Sequence, residues 1–236
     1  MKRLSLLLFA VPLILTSCKT ECVEDAGMRV SHVNTVDSFD EVEVEGAIKV
    51  VFQQDSSYAI KVEADSNVVD LVKASVSRGT LKLDLDPEKY CGTDSVVVYA
   101  GIAGLKSIKA GANSRLASQG RLNLGDLKLT LTGSTTADLD INAAKVTTEV
   151  DGTATIKLIG QAGIHELKSK GDLNLDAFDF VVGHYDLNME GVGKSNINVL
   201  NELKVETSGS SEVFYKGSPK KIDKKKTGNA RLQKVN

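Results

Sequence analysis

Seven glycines recur at a nearly constant spacing along the second half of this chain. They are Gly111, Gly133, Gly152, Gly171, Gly191, Gly209 and Gly228, at gaps of 22, 19, 19, 20, 18 and 19 residues. Each glycine closes a short run of alternating polar and apolar residues, and a second alternating run usually follows. A fixed period of about 20 residues is typical of stacked repeats, in which each unit buries its apolar face against its neighbours. The period therefore constrains the fold strongly, although it does not identify a ligand.

The residues at fixed distances from the glycines predict a core. A first column stands six residues before each glycine and is apolar or largely so, with one exception, His165: Leu105, Leu127, Val146, His165, Tyr185, Leu203 and Ile222. A looser second column follows the glycines: Leu139, Ile156, Leu158, Ile197, Val213, Tyr215 and Leu232. Glycine is favoured where the chain turns with a positive φ or where two backbones approach closely. The periodic glycines are therefore expected at one corner of each repeat, and Gly160 and Gly217 mark a second corner.

These columns predict an all-β fold, a parallel β-helix-like solenoid with about 19–20 residues per coil. A right-handed coil is expected, because parallel crossovers are right-handed. A sandwich or barrel of antiparallel hairpins is the alternative. Hairpins explain the alternation but do not explain one glycine per repeat.

The same pattern begins earlier in a degenerate form. Val42 and Val44 precede Gly46, and Ile48 and Val50 follow it, in the same order of alternating run, glycine and alternating run. The sequence therefore predicts a single domain over residues 34–236, with regular repeats at 104–236. Residues 18–33 are polar and aperiodic, and we expect them to form a tether.

The N-terminus has the pattern of a lipoprotein signal peptide over residues 1–17. A positive start at Lys2 and Arg3 precedes an apolar stretch of about a dozen residues, shorter than the ~20 that a membrane-spanning helix needs. Leu15-Thr-Ser-Cys18 then resembles the bacterial lipobox, which implies that Cys18 is acylated and anchors the mature chain. Lys19 lies where inner-membrane retention signals usually have Asp, which favours the outer membrane.

Two further cysteines would reach an oxidising compartment, where disulfides persist. A bond between Cys22 and Cys91 would close a loop of about 70 residues and stabilise the fold by about 4 kcal/mol in the chain-entropy model. Two separate thiols are the alternative.

Several of these features together resemble one protein family. The lipobox, the Phe39-Asp-Glu-Val-Glu-Val-Glu-Gly46 start, the segment from Val72 to Leu81 and the glycine-punctuated repeats are similar to the putative auto-transporter adhesin, head GIN domain family. The resemblance covers roughly residues 35–220 and implies a parallel β-helix-like fold. It implies no catalytic residues, because the shared motifs are patterns of strand and turn.

The sequence offers no constellation for catalysis, a metal or a cofactor. His32, His165 and His184 are scattered, and His165 falls in the inward column, where a hydrogen-bonded core histidine is expected. Asp138, Lys157 and Asp176 each follow a glycine by five residues and could form one outward column. Alternating charges of this kind usually stabilise a solvated sheet. A net charge of −2 gives no electrostatic case for nucleic acid.

A basic stretch near the C-terminus is the remaining candidate site. Its lysines could contact an anionic lipid or lipopolysaccharide surface, or they could form a charged capping rung that blocks end-to-end stacking: Lys220, Lys221, Lys224, Lys225 and Lys226.

Taken together, the sequence predicts a non-catalytic adhesion or binding module of the cell envelope. The module is expected on the outer membrane, at the cell surface or the periplasmic face, held by its lipid and binding an unknown protein or glycan. A structural envelope scaffold and a polysaccharide-active β-helix enzyme are the alternatives. The oligomeric state does not follow from the sequence.

Overall fold

The computed structural model describes residues 22–92, 96–111 and 113–236, and these residues form an all-β structure. Within these ranges, one large sheet of 13 strands is not closed, and the only helical element is the 3-10 turn Val69–Leu71. The predicted signal peptide and Cys18 lie outside the described residues. Among the described residues, no helix is both long and apolar enough to span a bilayer.

The strands are numbered in chain order. They are β1 Arg29–Thr35, β2 Glu41–Glu45, β3 Lys49–Gln54, β4 Ala59–Asp65, β5 Lys73–Ser77, β6 Thr80–Asp84, β7 Val97–Ile102, β8 Ser107–Ala110, β9 Arg115–Gln119, β10 Leu122–Asn123, β11 Asp126–Lys216, β12 Lys221–Gly228 and β13 Arg231–Lys234. β11 is β-strand over all of its 91 residues and contains most of the periodic glycines, at which the chain turns.

The pairing between strands follows the glycine period. Residues of β11 pair in parallel with the residues 19 positions later, as in Glu202 with Lys221 in β12 and Glu212 with Arg231 in β13. At the other end of β11, Lys128 pairs in parallel with Ser107 in β8. Successive repeats therefore lie side by side in parallel, one repeat apart in the sequence.

The periodic glycines from Gly133 to Gly228 form a column in which each backbone lies against the next, whereas Gly111 has no positive φ and is bordered by the Thr132 and Glu45 side chains. The φ angle is +128° at Gly152, +119° at Gly171 and +121° at Gly191, which L side chains rarely adopt. A Cβ atom on Gly171 would lie within 3.0 Å of the Gly152 carbonyl oxygen, and Gly209 and Gly228 repeat this relation with the preceding glycine of the column. The corner predicted at these glycines is therefore correct, and it requires both the positive φ and the missing side chain.

The predicted inward columns are mostly buried, although Tyr215 and Leu232 in the second column are only partly so. From Leu105 to Leu203 every member of the first column is at most 3% exposed. Ile222, the last member, is 42% exposed, so its prediction as a core residue is wrong. It belongs to β12, whose residues are all exposed, because β12 stacks on β11 through Leu203 and is covered by no further repeat.

His165 is buried in the core with both ring nitrogens hydrogen-bonded. Nε2 lies 2.9 Å from the Thr148 hydroxyl and Nδ1 lies 2.7 Å from the Tyr185 hydroxyl, so the contacts join three neighbouring repeats. The Phe180 ring packs edge-on, with centroids 5.9 Å apart. The expectation of a hydrogen-bonded core histidine is thus met by the geometry. Burial lowers the pKa of His165 from its ordinary value of 6.5 to about 3.

This buried histidine should make the stability fall in mild acid. Between pH 6.5 and about pH 3 the unfolded chain binds a proton that the folded chain does not, so the free energy of unfolding decreases as pH falls, by up to about 1.4 kcal/mol per pH unit. In His165→Gln the slope should be smaller by about one proton. Urea unfolding at several pH values measures the pH slope of the wild type and that of His165→Gln. Thr148→Val retains the histidine and should retain the slope, and an equal slope in His165→Gln would contradict this account.

The N-terminal layers do not stack in sequence order. β2 pairs in parallel with both β6 and β8, and β3 pairs in parallel with both β7 and β9. The layer formed by β2 and β3 therefore lies between the later layers β6–β7 and β8–β9. Gly46 stands at its corner with a φ of +100°, against the Leu85 backbone, as its place in the degenerate repeat predicts.

Antiparallel strands cover this end of the stack. β4 pairs with β7, β1 pairs with β4, and β5 pairs with β6, all antiparallel. The prediction of a tether over 18–33 is therefore wrong from Arg29 onward, because Arg29–Thr35 supplies the outermost strand. The segment contains little apolar alternation because nearly all of its side chains are exposed, with only Val30 partly buried.

A disulfide joins the segment that precedes β1 to the N-terminal end of the sheet. Cys22 and Cys91 are bonded, with their Cα atoms 5.7 Å apart, and Val23 forms a bridge with Tyr90. The Tyr90 hydroxyl donates to Asp25 at 2.8 Å. Of the two alternatives left open by the sequence, the structure contains the bond.

In β12, lysines occupy positions that hold core residues in the preceding repeats. Lys224 pairs with buried Val205 and Lys226 with buried Thr207, so both stand in the inward register. Lys226 donates to the Ala230 carbonyl oxygen. Charged groups over the end of the core discourage the addition of another strand or molecule at this edge.

Replacing Lys224 and Lys226 should make the protein self-associate through its C-terminal end. In the double variant Lys224→Val, Lys226→Val the end of the stack becomes apolar, and we expect association that raises the average mass in sedimentation velocity. The double variant Lys221→Val, Lys225→Val removes the same charge from the outward register and should leave the mass unchanged. Equal association of both variants would show that charge loss alone is responsible.

Candidate binding face

One outward face of the sheet is neutralised by its own ion pairs. This ion-pair face comprises the outward side chains of β2, β6 and β8 and of the β11 segments that precede the glycine column. Glu43 lies 3.1 Å from Lys82 and 3.6 Å from Lys109 on the neighbouring strands. The hydrogen bond from Lys82 is the main cause that lowers the pKa of the Glu43 carboxyl.

The same arrangement continues along β11. Cation and carboxylate lie on neighbouring repeats, at 2.9 Å for Lys128 and Glu149, and at 2.8 Å for Lys145 and Glu166. Lys204 also lies 3.0 Å from Asp186. These partly exposed pairs contribute little stability each, and they join neighbouring strands and repeats along this face.

A second outward face carries aromatic rings. This aromatic face comprises the outward side chains of β3, β7 and β9 and of the β11 segments that follow the glycine column. Tyr99 lies in one outward row with Val51 and Ala117, because β7, β3 and β9 pair in that register. Phe214, five residues after Gly209, occupies the corresponding position near the C-terminal end.

Each ring on this face is accompanied by a cation. The Nζ atom of Lys61 lies 4.5 Å from the Tyr99 ring centroid, and that of Lys194 lies 5.6 Å from the Phe214 centroid. Phe178 is likewise half-buried, and Lys216 lies 4.6 Å from its centroid. Half-exposed aromatic rings beside polar groups are typical of surfaces that bind a partner.

A groove opens on the aromatic face at its N-terminal end. Its volume is about 460 Å³, and Gln53, Asp55, Tyr99, Gly101 and Gln119 are among its lining residues. The local sequence does not mark this site, because Tyr99 ends the run Val96-Val-Val-Tyr99. Three consecutive valines obscure the alternation that would have marked Tyr99 as outward.

The structure brings Asp138, Lys157 and Asp176 to the exposed side of β11, between buried neighbours. No ion pair among the described residues involves these three side chains. They continue the outward row of Tyr99, since Ala117 pairs with Asp138. No cleft surrounds them, so the structure offers no support for general acid–base catalysis at this column.

The histidines do not come together. His32 lies on β1, His165 is in the core and His184 is exposed on β11. Across the described ranges, no group of three or more His, Cys, Asp or Glu side chains could hold a metal ion.

The C-terminal lysines do not form one surface. Lys221 is paired with Glu202 and stands on the ion-pair face, where the pKa of Glu202 is lowered chiefly by that hydrogen bond. Lys225 lies beside Glu206 in the same register, whereas Lys224 and Lys226 are in the inward register. Lys220 precedes the strand and is exposed. The distribution fits the capping alternative better than a single anion-binding patch.

Comparison with known proteins places the chain in a family. The family model described as putative auto-transporter adhesin, head GIN domain, matches residues 38–219. The chain belongs to this family. The head GIN domain therefore covers nearly all the strands, from before β2 to the end of β11.

Solved structures share the fold of this head GIN domain. A putative adhesin from Bacteroides fragilis matches with a TM-score of 0.83 and 20% identity, covering 90% of this chain and 100% of that one. A putative adhesin from Parabacteroides distasonis matches with a TM-score of 0.68 and 21% identity, covering 91% and 100%. A putative lipid binding protein from the same species reaches 0.59 at 17% identity, covering 92% and 100%. No curated protein matches the sequence.

Proposed function

We propose that this head GIN domain is a non-catalytic adhesion module of the cell envelope, anchored through a lipid on Cys18. The aromatic face is the observation that carries the proposal, because it presents half-exposed aromatic rings beside polar side chains, on a different part of the surface from the ion-pair face. The family description and the adhesin neighbours support the same function.

The repeats would display that face as a rod. Parallel pairing one repeat apart and the stacked glycines support a right-handed parallel β-solenoid with about 19–20 residues per coil. Rungs spaced at about 4.8 Å build a long flat surface. Such a surface binds by extended contact and does not need a catalytic cleft.

The disulfide would set the orientation of the rod. Only three residues lie between Cys18 and Cys22, so the four Cα–Cα steps of an extended chain span at most about 14 Å between the lipid-bearing and the bonded cysteine. The N-terminal end would then face the membrane, and the lysine-rich C-terminal end would point away from it. A contact between those lysines and the anchoring membrane does not fit this orientation.

Fractionation and surface proteolysis test the anchor and the display. The full chain expressed in an outer-membrane-bearing host should enter the membrane fraction, and Cys18→Ala should release it. Protease added to intact cells should cleave the wild-type protein. A membrane-bound protein that is fully protected, in cells that bind neither glycan nor matrix-protein arrays, would instead establish a periplasmic scaffold.

A further inference from the structure

The groove on the aromatic face is lined by a glycine at one outward position of β7. Gly101 follows Tyr99 by two residues and lies beside the loop that joins β3 and β4. A Cβ atom on Gly101 would be 3.2 Å from the Ser57 hydroxyl and 3.4 Å from the Asp55 carbonyl oxygen. The missing side chain therefore leaves the space between Tyr99 and that loop open.

The floor beside the groove is a flat apolar strip. Tyr99 pairs with Val51, and Val51 pairs with Ala117, so the three outward side chains lie side by side across three strands. All three are half-buried. With about 4.8 Å between strands, the strip is about 10 Å wide, which is enough for one or two pyranose rings.

A row of side-chain amides borders this strip. Gln53 pairs with Gly101 on one side and Gln119 on the other, so the two amides stand on adjacent strands. Both side chains are exposed, and neither amide makes a hydrogen bond within the described part of the chain. Each amide offers a donor and an acceptor.

The charged groups around the groove are already engaged. Lys61 lies 2.7 Å from Glu63 and 4.5 Å from the Tyr99 ring centroid. One carboxylate oxygen of Asp55 accepts a hydrogen bond from the Ser57 amide at 2.8 Å. The groove therefore provides hydrogen-bonding amides next to an apolar strip, and Lys61, the cation among its described lining residues, is paired with Glu63.

We propose that this groove binds an uncharged saccharide chain. A pyranose has an apolar C–H face, which would lie on the strip of Tyr99, Val51 and Ala117, and hydroxyls at its rim, which would bond to Gln53 and Gln119. A peptide strand is disfavoured because β3 is paired on both sides, so no sheet edge is available there. The assignment rests on the proposed adhesion function and names the chemistry of its partner.

Calorimetric titration of the full chain in detergent with cellohexaose, xylohexaose and mannohexaose tests the assignment. We expect at least one of the three to bind. The double variant Gln53→Ala, Gln119→Ala should weaken that binding at least about tenfold, because two hydrogen bonds are lost, and Gly101→Asn should abolish it by filling the groove. Asn188→Ala, which removes a side-chain amide from the ion-pair face, should bind as the wild type does.

The outcomes separate this assignment from the proposed function. If none of the three saccharides binds, or if the glutamine variant binds with unchanged affinity, the saccharide groove is wrong. Adhesion of cells to a protein array would then still support the proposed adhesion function. The urea midpoint of each variant verifies folding, and the exposed glutamine pair carries the test if Gly101→Asn does not fold.

Discussion

Gly171→Ala should lower the free energy of unfolding by at least about 3 kcal/mol, because the added methyl group would meet backbone at a strained φ. The new Cβ would lie within 3.0 Å of the Gly152 carbonyl oxygen, at a φ of +119°. Backbone occupies the contact, so the neighbour cannot rotate away as a side chain would. Urea unfolding of wild type and variant measures the loss.

Two other glycines separate the causes of this loss. Gly120 has a φ of +76° with nothing within 4 Å of the added Cβ, so Gly120→Ala should cost only the conformational strain, about 1–2 kcal/mol. Gly125 also has open space and no positive φ, so Gly125→Ala should be neutral or stabilise the fold by up to about 1 kcal/mol. Equal losses at Gly171 and Gly125 would show that the glycine column does not depend on close approach.

Removing the disulfide should cost about 4 kcal/mol. Cys22 and Cys91 are 69 residues apart in sequence, and their bond restricts the unfolded chain over a loop of that length. The double variant Cys22→Ser, Cys91→Ser should therefore unfold at lower urea concentration than the wild type. Reductant should lower the midpoint of the wild type towards that of the variant.

The double variant is also the control for the reductant. Its own midpoint should not change when reductant is added, since it has no bond to break. If the wild-type protein resists urea equally with and without reductant and presents two reactive thiols, the bond does not contribute to its stability.

Much of the fold could be predicted because its determinants are local and repeated. Val146 and Leu203 are recognisable as core residues from their distance to a glycine, and both are fully buried. The end of the stack breaks this rule. Ile222 has the right distance but no following repeat to cover it, and a repeat pattern does not show where stacking stops.

The candidate site was much less predictable. The groove depends on Tyr99, Gly101, Gln53 and Gln119, which come from three strands separated by up to 66 residues of sequence. Their register is set by pairing between strands that no local pattern connects. Tyr99 also follows three valines, so the sequence does not distinguish the buried side of this strand from its exposed side.

The sequence by itself determined the repeat, its glycine corners and the identity of most core positions. These follow from side-chain alternation and from a φ that favours glycine, both of which act within a few residues. Only the tertiary structure decided that β2 and β3 insert between later layers, that the Arg29 segment is a strand, and which face carries the exposed rings. Those features depend on which distant strands pair, because parallel pairing joins backbone groups irrespective of the order in which the strands occur along the chain.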